Sequence, residues 1–185
     1  MSQNQALRPF DLLIALDKKS RESSGGMPVY EQAGSSWTGV LVTLGKSKFL
    51  VSMRVVREII IPPAVTNVPG VMSWLKGVAN LRGTLFPVMD LESLFNLKTA
   101  EDAQQQRLLV LEQQGFMLGI LVSAVHGMKN YMNSDIAESL PEVSQELQHL
   151  VEKSYQNVDE HYAVLNIELL MQDEAVQNVG MRKAV

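Results

Sequence analysis

The sequence predicts a mainly β protein of two similar lobes, with a few short helices and a helical N-terminal extension. Two observations carry this reading. Short segments rich in Val, Leu and Thr recur between breaks containing Gly, Ser and Asn, a rhythm of antiparallel hairpins in a barrel or sandwich and not of a parallel α/β sheet. The chain also faintly repeats itself. Val88-Met89-Asp90-Leu91-Glu92-Ser93-Leu94-Phe95 aligns without gaps on Val164-Leu165-Asn166-Ile167-Glu168-Leu169-Leu170-Met171, and upstream Met53-Arg54-Val55-Val56 aligns on Val122-Ser123-Ala124-Val125. Two matches in the same order imply two lobes of roughly 65 to 75 residues.

Arg8 to Glu22 has Pro9 near its start and Phe10, Leu13, Ile14 and Asp17 at helical spacing, the pattern of an amphipathic helix. Ser23-Ser24-Gly25-Gly26 ends it, and Met27 to Ser36 has turn composition. Residues 1–36 are therefore read as an N-terminal extension, 37–175 as the main domain and 176–185 as a C-terminal tail. Trp37 to Leu44 and Lys48 to Met53 form a hairpin across Gly45-Lys46-Ser47. Gly77 to Arg82 and Leu85 to Met89 form a second across Gly83-Thr84, and Arg107 to Glu112 with Phe116 to Val122 a third across Gln113-Gln114-Gly115. Val151 to Gln156 and His161 to Ile167 make a fourth, joined by polar Asn157 to Glu160. Short helices are expected at Val71 to Leu75, Leu91 to Leu97, within Pro141 to Leu150 and at Glu168 to Asp173. Asp90 and Asn166 stand where N-caps belong.

Composition removes whole classes of function. With 46% apolar and 19% charged residues the chain can bury a sizeable core. The formal charge of -4 is dispersed, which disfavours nucleic acid as a partner, because phosphate binding needs clustered Lys and Arg. Lys46-Ser47-Lys48 reads as a solvated hairpin tip. The absence of cysteine excludes disulfides, Cys-ligated metal and a thiol nucleophile. Met1 to Leu7 has no signal pattern, and even the greasiest run, Leu118 to Val125, falls well short of the ~20 residues that span a bilayer. The expectation is a cytoplasmic protein with no direct membrane insertion.

No catalytic set emerges. His126, His149 and His161 lack metal-site spacing. Leu81-Arg82-Gly83-Thr84 is too short for a phosphate loop, and Gly34-Ser35-Ser36-Trp37 lacks the flanking glycines of a nucleophile elbow. The carboxylate pairs Glu101-Asp102, Asp159-Glu160 and Asp173-Glu174 sit in polar, loop-like contexts. Neither enzymatic activity nor a cofactor or metal is expected.

One stretch has a fixed composition and no evident chemistry: Val55-Val56-Arg57-Glu58-Ile59-Ile60, Val68-Pro69-Gly70, Trp74-Leu75-Lys76-Gly77-Val78-Ala79-Asn80-Leu81-Arg82-Gly83 and Pro87-Val88-Met89-Asp90-Leu91. The prolines stiffen a loop, and Gly77 and Gly83 bracket a strand. Arg82 at the tip of an apolar strand is either a surface anchor or the partner of a carboxylate within the fold.

These residues resemble the signature of the CheW-like adaptor family: Val-x-Glu-Ile at Val56 to Ile59, Lys-Gly-Val-x-Asn-Leu-Arg-Gly at Lys76 to Gly83, and Pro-Val-x-Asp-Leu at Pro87 to Leu91. The resemblance runs over roughly residues 37–172. It implies a CheW-like fold of two intertwined five-stranded SH3-like β-barrels, and an adaptor that binds two partners. One is the regulatory domain of a CheA-type histidine kinase; the other is the cytoplasmic tip of a methyl-accepting chemoreceptor, a setting that implies recruitment to membrane-associated arrays. By position in the motif, Met53, Val56, Glu58, Gly77 and Arg82 are the expected receptor-binding residues; the kinase-facing residues carry no local motif. The extension with Pro9-Phe10-Asp11-Leu12-Leu13 and Asp17, then Ser36-Trp37-Thr38-Gly39, looks like the branch of the family that serves type IV pilus twitching motility. A member serving flagellar or other chemosensory signalling is the alternative, as is an unrelated β-barrel that binds oligosaccharide or nucleic acid, which would want exposed aromatics over a basic surface.

Overall fold

The computed structural model describes residues 36–97, 104–113 and 115–177. The expected helix at Arg8 to Glu22 and nearly all of the C-terminal tail lie outside these residues. The described chain runs β1 (Ser36–Leu44), β2 (Ser47–Ser52), β3 (Val56–Ile60), β4 (Leu75–Leu81), β5 (Thr84–Asp90), α1 (Leu91–Leu94), β6 (Arg107–Gln113), β7 (Phe116–Val122), β8 (Ala124–Met132), β9 (Val151–Gln156), β10 (His161–Leu165), α2 (Ile167–Gln172) and α3 (Glu174–Gln177). Single 3-10 segments at Asn133–Asp135 and Gln145–Leu150 fill the connection from β8 to β9.

The strands form two five-stranded sheets in the orders β8-β1-β2-β10-β9 and β3-β6-β7-β5-β4. Replacing each of β1 to β5 by its counterpart among β6 to β10, and the reverse, turns one order into the other. The internal repeat is thus real in three dimensions, and each half donates strands to both sheets. The lobes are intertwined, as the family resemblance implies, and not consecutive stretches of chain: β3 leaves its own hairpin to pair with β6, and β8 leaves to pair with β1. Two parallel pairings, β2 with β10 and β5 with β7, join the halves. Each sheet is closed by the segment after its crossing strand. Thr66 and Val78 exchange two backbone hydrogen bonds of 2.9 Å, and Ala137 N–H donates to Ser154 O at 3.0 Å.

Alternation along the strands sorts side chains into three cores. Leu41, Leu50, Tyr131, Tyr155 and Val164 fill one barrel; Ala79, Phe86, Val88, Leu108 and Val110 fill the other. The opposite faces of the same strands, including Val40, Val42, Phe49, Leu109, Leu111 and Ile120, meet in a larger core shared by both sheets. Strands buried on both faces read as continuous apolar runs, which accounts for the greasy run from Leu118 to Val125, most of it in β7.

All four expected hairpins form. The second turns one residue earlier than expected, at Arg82-Gly83, because β5 begins at Thr84. Val71 to Leu75 is not a helix. Trp74 is buried in the shared core and its carbonyl accepts from Asp90 N–H at 2.8 Å, so this segment lies along β5 and runs straight into β4. The helix expected at Leu91 to Leu97 is confined to Leu91–Leu94, and the one within Pro141 to Leu150 is 3-10. Strands β3 and β8 were not foreseen; as edge strands they expose Arg57, Ile59, His126 and Met128 and so lack a clean two-residue apolar period.

Both repeated helices are capped as expected. Asp90 Oδ1 accepts from Ser93 N–H at 3.0 Å, and Asn166 Oδ1 accepts from Glu168 N–H at 2.9 Å and Leu169 N–H at 3.2 Å. Burial pushes the Asp90 carboxyl upward, but the Ser93 hydroxyl and N–H together with Lys76 outweigh it and hold the group below its usual range.

Candidate functional site

Two signature residues, Glu58 and Arg82, meet where the turn between β4 and β5 reaches β3. In the two-residue loop between β4 and β5, both Arg82 (φ 52°) and Gly83 (φ 89°) hold positive φ, as a type I′ turn requires. Gly83 N–H donates to Asn80 Oδ1 at 2.8 Å, so the Asn of Asn-Leu-Arg-Gly shapes the turn. Arginine is a costly choice here, since the left-handed region penalises a Cβ, which Gly lacks and whose cost Asn offsets by local hydrogen bonding.

This turn throws the Arg82 side chain outward, where 79% of it stays exposed, with Nη2 3.0 Å from Glu58 Oε1. Glu58 lies on β3, at the opposite edge of the sheet order from β4. The ion pair therefore reaches across the closing seam of the barrel, beside the Thr66–Val78 bridge. Exposed apolar residues lie close to it in the chain: Ile59 one residue and Ile61 three residues after Glu58, and Leu85 three residues beyond Arg82. Sequence reading missed these three, because exposure is not visible in an isolated Ile or Leu.

The other expected site residues sit differently. Gly77 is buried at a β-bulge with φ 137°. A Cβ there would stand 2.3 Å from Thr66 O and 2.8 Å from Thr66 C, so glycine is what lets the loop after β3 close against β4. Met53 and Val56 are half-buried and pack on the shared core. Glu58 and Arg82 are thus in direct contact, Gly77 supports the loop that closes their barrel, and Met53 and Val56, just before and at the start of β3, anchor that strand to the shared core.

The other barrel carries a related clamp. Lys129 on β8 pairs with Glu160 in the turn between β9 and β10, the same two elements in the second half, with the charges reversed. The mutual hydrogen bond raises the Lys129 pKa and lowers that of Glu160. Burial, with the nearby Glu160 charge, pushes Tyr131 up to about 12. Among the described residues no group of side chains is arranged to hold a metal ion, and no helix is long and apolar enough to cross a membrane.

Comparison with known proteins agrees with this architecture. The CheW-like domain family matches residues 38–175. Protein PilI of Pseudomonas aeruginosa is 35% identical over 143 residues, covering 77% of this chain and 80% of PilI. Chemotaxis protein CheW of Bacillus subtilis is 32% identical over 103 residues, 56% of this chain and 65% of that protein. The crystal structure of the scaffolding protein TtCheW from Thermoanaerobacter tengcongensis superposes with a TM-score of 0.66 at 23% identity, covering 76% of this chain and 96% of that one. With its two sheets built by exchange of strands and a family match over residues 38–175, the chain belongs to the CheW-like domain family.

Proposed function

We propose that the protein is a non-enzymatic adaptor that couples a methyl-accepting chemoreceptor to a CheA-type histidine kinase, in a pathway controlling type IV pilus twitching motility. Family membership supports the scaffold role in chemosensory signalling, and the similarity to PilI supports the pilus branch. The observation that carries the receptor contact is Arg82, held at the tip of a strained turn with its guanidinium exposed and paired to Glu58. Strain retained at an exposed residue is a common mark of a working surface.

In this reading Arg82 anchors a polar group on the receptor tip, and Ile59, Ile61 and Leu85 supply the apolar contact around it. Met53 and Val56 anchor the start of β3 to the shared core, and Gly77 lets the loop after it close. The protein works in the cytoplasm, recruited to membrane-associated arrays through its partners.

The test is a pull-down with the host's CheA-type kinase and a soluble receptor-tip fragment, comparing wild type with Arg82→Glu. The expected result is a loss of receptor binding by roughly tenfold or more, with kinase binding and melting temperature retained. Equal loss of both partners with a lowered melting temperature would make Arg82 a structural residue. No binding of wild type to either partner sinks the adaptor reading. A gene deletion that stops swimming and leaves twitching intact would move the protein to a flagellar pathway.

A further inference from the structure

The internal repeat is broken at one place, and there the surface opens. In the first half, Glu92 on α1 is buried and seals the seam between the sheets. Its carboxylate accepts from Gly45 N–H at 2.7 Å and from the hydroxyl of Ser123, which lies between β7 and β8. The repeat equates Glu92 with Glu168 and Ser123 with Arg54. In the second half both counterparts are exposed, and instead of meeting they line a cleft of about 320 Å³ together with Ser52, Trp37 and Lys153. A second hollow of about 220 Å³ continues it past Gln113 and Glu168, with Leu111, Leu118, Met171 and the 70%-exposed Phe116 in its wall.

The charges in the cleft are unequally engaged. Among the described residues, Arg54 and Lys153 form no ion pair; Lys153 Nζ stands 5.5 Å from the centroid of Trp37 and 5.6 Å from that of Tyr155. Glu152 already accepts from Asn166 Nδ2 at 2.8 Å. Glu168 repels a second carboxylate from its own end, which leaves the Arg54–Lys153 end for an anion. The sealed half supplies the template: a carboxylate seats between a hairpin turn and the residue at the strand crossing. With Arg54 in place of Ser123, the open half offers a charged donor for the same group.

We propose that this open seam docks an extended segment of a partner protein, with an Asp or Glu side chain seated at Arg54 and a neighbouring apolar side chain in the hollow lined by Leu111, Leu118 and Met171. Volumes of about 320 and 220 Å³ take one or two side chains each, which an extended chain supplies from residues close in sequence. The site shares no residue with the Glu58–Arg82 surface, so the two readings fail independently.

The experiment is an amide-shift NMR titration of the full chain with acetyl-Asp-Leu-Leu-amide, and with acetyl-Asn-Leu-Leu-amide as control. Saturable shifts at Ser52, Arg54, Lys153 and Asn166 are expected, with the Asn peptide weaker by about tenfold, the value of one hydrogen bond to a charged group. Arg54→Ser should abolish the preference for Asp over Asn while the unbound spectrum stays folded, Arg54→Lys should retain much of it, and Arg82→Glu should leave it unchanged. Absence of saturable shifts, equal affinity for both peptides, or shifts confined to the Arg82 turn overturns the proposal. Identical shifts with inorganic phosphate alone also overturn it, reducing the cleft to a simple anion contact.

Discussion

Arg82 holds a backbone conformation that Asn would adopt with less strain, and this sets stability against binding at a single residue. Arg82→Asn should stabilise the fold by about 0.5–1 kcal/mol in urea denaturation, while receptor-fragment binding falls as it does for Arg82→Glu. Loss of stability in Arg82→Asn would mean that the Glu58 pair outweighs the strain; an exposed pair of this kind is worth only about 0–1 kcal/mol. Gly77→Ala acts in the opposite sense. Its Cβ would collide with the Thr66 carbonyl, so unfolding free energy should drop by about 1–3 kcal/mol, and any binding defect should be restored at low temperature where the fold recovers. In the sequence, Arg82 was visible as an oddity at a strand tip. Its strain was not, because the turn was read one residue late, and neither was Glu58 as its partner, since closure of a barrel pairs residues that no local pattern links.

At the level of elements, the two capped helices form a matched pair in which only one cap titrates. Asp90 is held below its ordinary value of 3.8, so its contribution is present above that value and is lost as pH falls through the lower folded value. Asn166 makes the same cap without a charge. Asp90→Ala and Asn166→Ala should each cost about 1 kcal/mol at pH 7. In urea melts at pH 3, the Asp90→Ala deficit should shrink while the Asn166→Ala deficit persists; equal deficits at both pH values would remove the acid-sensitive role of Asp90. The caps and hairpins were legible because each depends on neighbours in the chain: an Asp or Asn before an apolar run, a Gly between two β-rich segments. Strands β3 and β8 were not, since an edge strand that exposes Arg57, Ile59 and Met128 carries no alternation to read, and the burial of Trp74 in the shared core leaves no mark in the residues beside it.

Across the whole molecule, the shared core makes the two barrels one folding unit. Trp37 packs with one barrel interior and Trp74 lies in the core common to both sheets, so variants Trp37→Phe and Trp74→Phe each leave one fluorescent reporter. Their denaturation midpoints, measured by fluorescence and by circular dichroism on each variant, should coincide, as two-state unfolding demands. Separate midpoints for the two probes within one variant would show that the barrels melt independently. Phe49→Ala, at a fully buried site in the shared core, should lower stability by about 3–5 kcal/mol and move both reporters together. Two lobes were foreseeable from the repeat, whereas the exchange of strands between them was implied only by the family resemblance, because an internal match tells which segments are alike and not which ones pair. That exchange also bears on how the protein is made. When the first half leaves the ribosome, the β1–β2 hairpin still lacks β8 and β10, and β5 still lacks β7. The nascent chain must carry unpaired strand edges until His161–Leu165 emerges, so a premature stop late in the gene deprives the earliest-made sheet of an inner strand.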